Sequence, residues 1–488
     1  MSRQEDAVND ALAGWPDLAA LAEVAIADDP LKARTRARLI QPSEFSAPGG
    51  SRTTELANAG RLVEQHGADL RYCHRWASWL VWDGRRFKRD TSGEVERRAK
   101  TTVRSIYAEA GQATEPGERK DLSRWAQQSE ARIQISNMLA LARSEPGIPV
   151  EPDHLDADPW LLNVRNGTIE LRTGNLRRHQ RQDLITKLVD VDYDPKAECP
   201  TWTRLLNRIL PTERLRLFLQ RAVGYSLTGD TREQALFICH GSGANGKTTT
   251  LEGCSRVFGD YGRRTNFGTF LVHDQERVRN DLAALAGARF VSAVEVDQGR
   301  RLSEVVVKEL TGGDTISARF LYGEFFDYTP QFKLWLAANH KPEVRGTDHA
   351  IWRRIRLIPF TVTIPDAEQD RTLPDQLHTE LAGILAWAVQ GCLDWQQIGL
   401  SEPAEVLDAT LAYRGEMDLL GGFIADCCEL DAANRETAAA LYGAYEAWAK
   451  DCGEQPVSKR TFGRLLRERG FTDTRTESAR MWDGICLK

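Results

Sequence analysis

Residues 235–258 read ALFICHGSGANGKTTTLEGCSRVF and carry the strongest chemical signal in the chain. The apolar run Ala235–Cys239 has the length of a buried strand. It leads into Gly241-Ser242-Gly243-Ala244-Asn245-Gly246-Lys247-Thr248-Thr249, which matches G-x-x-x-x-G-K-[ST], and a helix-compatible stretch follows to Phe258. Glycine lets the backbone curl until successive N–H groups point inward at one phosphate. The start of the following helix adds unsatisfied donors and the positive end of its dipole. The spacing therefore predicts a nucleotide site with ATP and Mg²⁺ as ligands. Residues 241–249 cradle the phosphates, Lys247 faces the β- and γ-phosphates, and Thr248 ligates Mg²⁺ through its hydroxyl.

Hydrolysis needs a carboxylate on a neighbouring strand. Residues 289–297, RFVSAVEVD, supply an apolar strand ending in two acids. Glu295 and Asp297 share strand parity, so both face the nucleotide at the strand's C-terminal edge. One holds Mg²⁺ and one activates the attacking water. A third strand, Phe332–Ala338, ends at Asn339, whose amide suits sensing of the γ-phosphate. Beyond it come Arg353 and Arg354. A permanently charged, forked guanidinium there suits a transition-state finger inserted into a neighbouring subunit's site, while the other arginine suits an ion pair within the chain.

Outward from this centre, five segments are legible. Residues 1–51 hold an Ala/Leu-rich helical stretch and a Pro/Ser/Gly exit of linker composition. Residues 52–205 form an α+β accessory domain. Its first part, RYCHRWASWLVWDGRRFKRD, reads as a hairpin about Asp83-Gly84, and a helical region over 95–144 is interrupted near Pro116. A compact stretch follows with turns at Asn166-Gly167 and Gly174-Asn175. Asp156-Ala-Asp158 looks like a metal pair but belongs to this domain's own pattern and reads as structural. Residues 206–375 are the ATPase core, and 376–417 a helical linker whose apolar stripe over Gln376–Gln396 packs on it. The tail, 418–488, reads as a winged-helix-like domain: Ser458 caps a basic helix, KRTFGRLLRERG, that ends at Gly470. Lys459, Arg460 and Arg464 on that helix are candidate contacts to DNA phosphates.

Between the acidic strand and the strand ending at Asn339 lies Lys308-Glu-Leu-Thr-Gly312-Gly313-Asp314, then Arg319 and Tyr322. The order of glycine-rich loop, acidic strand, K-x-L-T-G-G-D, strand–Asn and Arg–Arg resembles the superfamily 3 helicases. It is most similar to the phage and plasmid primase family, with its satellite-phage primase–helicases and poxvirus primase–NTPases. LANAGRLVEQHGADLRY and LLNVRNGTIELRTGNL resemble the family's domain preceding the helicase, so the likeness covers about residues 55–375. The resemblance implies an AAA+-like module in hexameric rings around DNA. It assigns Gly241, Gly246, Lys247 and Thr248 to the nucleotide, Glu295 to metal and water, Asn339 to sensing, and Arg353 or Arg354 to the finger. It also implies a hairpin after Asp314 that tracks DNA in the ring channel. The tip Tyr322-Gly323-Glu324 lacks the basic residue expected there, which leaves Lys308, Arg319 and Tyr322 as candidates. Only about 50 residues precede the accessory domain, so a primase domain of the kind longer members carry is not expected, and a separate primase is a candidate partner.

Composition bounds the rest. The 488 residues carry 64 Lys and Arg against 70 Asp and Glu, a net charge of −6, so nucleic-acid binding rests on local patches. No apolar run approaches the 18 or so residues of a membrane span, and no basic start with an apolar core marks a signal peptide. The nine cysteines are scattered without C-x-x-C, as reduced cytoplasmic thiols are. The expectation is an α/β chain built on a P-loop ATPase core: an ATP-dependent hexameric DNA helicase of a phage, prophage or mobile element. A replication initiator or loader that melts origin DNA without travelling is the alternative. A DNA-binding scaffold with a silent site is disfavoured by the intact loop, acid and Asn339 set.

Overall fold

The computed structural model describes residues 51–272, 280–294, 300–321, 323–344, 349–452, 455–476 and 479–488. The described chain divides into two units, residues 51–82 with 87–152, and residues 83–86 with 153–488.

In the first unit, Thr54 caps α1 (Glu55–His66) by accepting from Ala57 N at 3.1 Å. Strands β1 (Leu70–Cys73), β2 (Ser78–Trp82) and β3 (Phe87–Arg89) form an antiparallel sheet in that order. The expected turn is present on residues 83–86, which group with the second unit: Gly84 has φ +98°, and Asp83 Oδ1 accepts from the N–H groups of Arg85 and Arg86, each at 2.9 Å. A second turn, with Ala77 at φ +46°, divides the expected hairpin into three strands. Helices α2 (Glu94–Gln112), α3 (Pro116–Ser129) and α4 (Arg132–Ala142) follow, the break falling where Pro116 takes the first turn of a new helix. Leu62, Val81, Val103 and Met138 meet in this unit's core.

The second unit begins with an antiparallel sheet of β4 (Leu161–Val164), β5 (Gly167–Glu170) and β6 (Asn175–Arg177), then α5 (Pro200–Ile209) and α6 (Glu213–Leu227). The sequence groups residues 153–205 with the segment before them. They pack instead with the segments C-terminal to them, because Trp160, Leu162 and Ile169 share one buried cluster with Trp202, Phe218 and Phe237. Next come β7 (Leu236–His240), α7 (Lys247–Phe258), β8 (Gly262–Arg264), α8 (Asn280–Ala283), β9 (Phe290–Val294) and α9 (Glu304–Gly312). The hairpin β10 (Ile316–Arg319) and β11 (Phe325–Tyr328), β12 (Lys333–Ala338), α10 (His349–Trp352) and β13 (Ile355–Pro359) complete the central part.

Five of these strands make one parallel sheet in the order β13-β7-β12-β9-β8. Both faces are covered, which is why β7 and β12 read as unbroken apolar runs rather than alternating ones. Phe237 and Cys239 face the cluster holding Trp202 and Val257, while Leu236 and Ile238 face Leu310 and Ile351. Trp335 lies between Phe237 and Phe290, with ring centroids 4.3 and 5.6 Å away. Lys333, at the start of β12, is buried, and its ammonium donates to the carbonyls of Thr228, Asp230 and Gln331 at 2.5–3.2 Å. Burial holds its pKa well below the ordinary lysine value.

The helix expected over 376–396 is two, α11 (Leu373–Thr379) and α12 (Leu381–Ile398). The break falls at Glu380, whose carboxylate accepts from Thr201 N and Trp202 N at 2.9 and 3.0 Å and so caps α5 from 179 residues away. Helix α13 (Ala404–Glu416) then runs beside β13, and Thr410 Oγ1 accepts from Leu357 N at 3.1 Å. The chain ends in α14 (Leu419–Cys427), β14 (Cys428–Glu429), β15 (Arg435–Thr437), α15 (Ala438–Asp451), α16 (Lys459–Glu468), β16 (Thr472–Arg475), β17 (Arg480–Asp483) and β18 (Cys486–Leu487). A three-stranded antiparallel sheet, β15-β17-β16, packs with these helices through Phe423, Tyr445, Phe462 and Trp482. No described helix is long and apolar enough to cross a membrane.

Candidate functional site

Strand β7 ends at His240, and the chain turns through residues 241–246 into α7. Three residues of the turn take the left-handed region, Gly243 at φ +107°, Ala244 at +46° and Gly246 at +79°. These reversals let the loop fold over the N-terminus of α7, whose first turn lacks intrahelical partners for its N–H groups. Thr250 N donates to Gly246 O at 2.9 Å, the first bond of that helix. Ser242, Ala244 and Thr248 are exposed, Gly243 and Thr249 half-buried. Lys247 is buried, and its ammonium donates to Gly241 O at 2.6 Å and Asn245 Oδ1 at 2.9 Å. The exposed Thr248 hydroxyl can meet a hydrated cation beside a phosphate, which fits the Mg²⁺ expectation. Among the described residues no group of three His, Cys, Asp or Glu could hold a metal by itself.

The parallel register brings the ends of three strands to this edge. His240 pairs with Ala338 and with Pro359, so Asn339 and Phe360 stand on either side of the loop's start. Asn339 is exposed. His240 is half-buried, and burial together with the Lys341 and Lys247 charges lowers its pKa below the usual imidazole value. Lys341 pairs with Glu416 at the end of α13 at 2.5 Å. Strand β9 ends at Val294 on the same edge, since Val294 pairs with Ala337. Glu295 and Asp297 lie outside the described residues, as does Tyr322. Burial raises the Cys239 thiol to about 12, which makes it inert packing beneath the loop.

Arg353 and Arg354 occupy the opposite edge. They precede β13, and Leu236 N, at the start of β7, donates to Arg354 O at 2.7 Å. A five-residue strand, roughly 15 Å long at about 3.3 Å per residue, separates them from their own chain's loop. Arg354 is buried, donating from Nε to Thr311 Oγ1 at 3.0 Å and from Nη1 to Ala350 O at 2.6 Å. Arg353 is exposed and donates to Gln234 Oε1 at 3.0 Å. The L-T-G-G-D segment thus holds Arg354 in place, a use that its sequence does not announce. Gly313, at φ +82°, ends α9 there.

The remaining candidates are dispersed. Lys308 is half-buried on α9. Arg319 stacks over the Phe325 ring at 4.8 Å on the outer face of the β10–β11 hairpin, beside exposed Phe320 and Leu321. In the C-terminal part, Ser458 caps α16 through Thr461 N at 3.3 Å, and Lys459, Arg460 and Arg464 are exposed along it. Arg467 and Arg480 both engage Asp473, which neutralises part of the basic cluster. Asp156 is structural: it accepts from Thr186 N at 2.8 Å and pairs with Lys187 at 2.8 Å.

Three family models match successive stretches of this architecture. Residues 59–211 match the D5 N terminal like domain, and residues 415–479 match a poxvirus D5 protein-like domain. These matches make the chain similar to the D5-like primase–helicases. Residues 239–354 of this D5-like chain, which hold the loop and both arginines, match a family of unknown function, DUF5906. A protein of Acanthamoeba polyphaga mimivirus, provisionally named a helicase, is 26% identical over 298 residues, covering 56% of this chain and 31% of its own. A frog virus 3 protein with the same kind of name is 25% identical over 403 residues, covering 64% and 41%. An African swine fever virus protein provisionally named a primase is 26% identical over 211 residues, covering 41% and 22%. The D5-like chain therefore spans under half the length of these relatives. The C-terminal region of NrS-1 aligns over 85% of this chain and 94% of its own, with a TM-score of 0.47 and 10% identity.

Proposed function

We propose that this D5-like chain is an ATP-driven DNA helicase serving replication of a phage, prophage or mobile element, and that it works as a ring, six subunits being the count the family resemblance implies. The observation that carries the reading is the placement of its two halves. The glycine-rich loop, Lys247 and Asn339 share one edge of the parallel sheet, while the exposed Arg353 stands on the other. An arginine so placed serves a nucleotide only in a neighbouring copy, which favours head-to-tail contacts that close into a ring. The names of the viral relatives support a replication role.

In this reading the loop N–H groups and Lys247 bind the β- and γ-phosphates, and Asn339 senses the γ-phosphate. Glu295 takes the proton of the attacking water, with Asp297 beside it. Thr248 and Glu295 would hold Mg²⁺, which would supply charge neutralisation at the phosphate oxygens. Arg353, from the neighbour, stabilises the charge that builds on the transferring phosphoryl group. The β10–β11 hairpin, with Lys308, Arg319 and Tyr322, contacts single-stranded DNA, and Lys459, Arg460 and Arg464 contact duplex phosphates. A separate primase is a candidate partner.

Strand displacement on a forked duplex, with ATP, without ATP and with a non-hydrolysable analogue, tests the proposal. Unwinding that requires hydrolysis supports it. DNA-stimulated hydrolysis with local melting but no displacement would favour the initiator or loader, and ATP-independent DNA binding alone would sink both.

A further inference from the structure

Asn245 is 2% exposed in the bend of the loop, and its amide has a partner at each end. Oδ1 accepts from the Lys247 ammonium at 2.9 Å, and Nδ2 donates to Phe360 O at 3.2 Å. The reverse orientation of the amide would set donor against donor and acceptor against acceptor, so the chemistry fixes which end is which. Gly241 makes the room. A Cβ there would lie 2.2 Å from Asn245 Nδ2 and 2.2 Å from Phe360 O. Two backbone bonds run alongside, Phe360 N to His240 O and Ile364 N to Ala244 O, both at 2.7 Å. The loop is thus fastened to the segment leaving β13, the strand that starts next to Arg353 and Arg354.

We propose that Asn245 is a positioning residue for the nucleotide site, aiming Lys247 and tying the loop to the exit of β13; the inference rests on the loop being that site. The side chain required is narrowly defined. It must offer an acceptor to an ammonium and a donor to a carbonyl across one short stem. Aspartate offers two acceptors, serine reaches one partner, and alanine neither. A long lysine side chain otherwise samples many rotamers, and holding its ammonium over the loop meets that ordering cost during folding rather than at binding.

The test measures binding of a fluorescent ADP analogue with Mg²⁺ to the full chain, for wild type, Asn245→Ala, Asn245→Ser, Lys247→Ala and the Asn245→Ala/Lys247→Ala double variant. Unfolding midpoints are recorded in parallel, and Asn245→Ser, which fills part of the space, stands in if the alanine variant does not fold. Asn245→Ala and Asn245→Ser should each weaken binding about ten- to a hundred-fold, the equivalent of one hydrogen bond to a charged group. In the Lys247→Ala background the same change should cost less than about three-fold, because Asn245 acts through the ammonium. Wild-type affinity in both Asn245 variants, or full additivity in the double variant, overturns the positioning role while leaving the nucleotide site standing. Absence of binding by the wild type overturns both.

Discussion

Arg353 and Arg354 are neighbours in sequence and opposites in environment: Arg354 is 6% exposed, its Nε 3.0 Å from Thr311 Oγ1, whereas Arg353 faces solvent with one bond to Gln234. Consecutive residues just before a strand point to different sides of the chain, and here one side is the interior. A guanidinium offered to another subunit must reach past the surface, so the exposed member is the candidate finger and the buried one an internal brace.

The two alanine variants should separate cleanly. Arg353→Ala should bind ATP almost normally, unfold at the wild-type urea concentration and lose roughly 10³-fold or more in turnover. Arg354→Ala should lose about 2–3 kcal/mol of stability, since it strips hydrogen bonds from buried acceptors. Urea titrations and ATPase rates on both variants decide it; a destabilised Arg353→Ala with full activity would reverse the assignment.

Loop chemistry makes the next prediction. Lys247→Ala should abolish turnover, and Glu295→Gln should retain ATP binding yet fail to hydrolyse, because an amide cannot take a proton from water. Equilibrium binding and single-turnover hydrolysis are the measurements. If Asp297→Asn is inactive while Glu295→Gln turns over, the two acids exchange roles.

Assembly should show in the kinetics. If Arg353 completes a neighbour's site, ATPase activity per subunit should rise with protein concentration. Mixing Lys247→Ala with Arg353→Ala subunits should restore part of the turnover, because some mixed interfaces pair an intact loop with an intact arginine. Activity that stays flat down to concentrations where light scattering reports monomers would argue against a shared site.

The Asp156–Lys187 pair predicts a pH signature. Burial raises the Asp156 pKa, but Lys187 and the Thr186 hydrogen bonds outweigh it, and the carboxyl ends below its ordinary value. A depressed carboxyl contributes stability above its unfolded pKa, near 3.9, and loses it as pH falls through the lower folded value. Asp156→Asn should cost about 3–5 kcal/mol at pH 7, as breaking a buried pair does. The gap to wild type should close below about pH 4, read from urea titrations at several pH values.

For the C-terminal helix, the combined Lys459→Ala, Arg460→Ala and Arg464→Ala variant should bind duplex DNA more weakly. Its salt dependence should be shallower by about 0.9 for each phosphate no longer neutralised. ATPase activity measured without DNA should not change. The Arg464–Glu468 pair, 3.7 Å apart and exposed, is too weak to matter to folding.

Local patterns were enough for part of this molecule. The apolar run, the G-x-x-x-x-G-K-T spacing and the helix after it set the strand, loop and helix at residues 235–258, because glycine φ freedom and helix-end donors act within a few residues. The cap at Ser458 and the break at Pro116 were legible for the same reason. Features that depend on distant partners were not. Glu380 ends one helix by capping another 179 residues earlier, Thr311 holds Arg354, and residues 153–205 join the larger core because Trp160 and Ile169 find Trp202 and Phe237. Lys333, polar in any local reading, is buried where three carbonyls converge. Sequence spacing specifies which backbone shapes a segment can take. Only the packed sheet, through its parallel register, decided that the loop and Asn339 share one edge, that both arginines fall on the other, and which of the two faces outward.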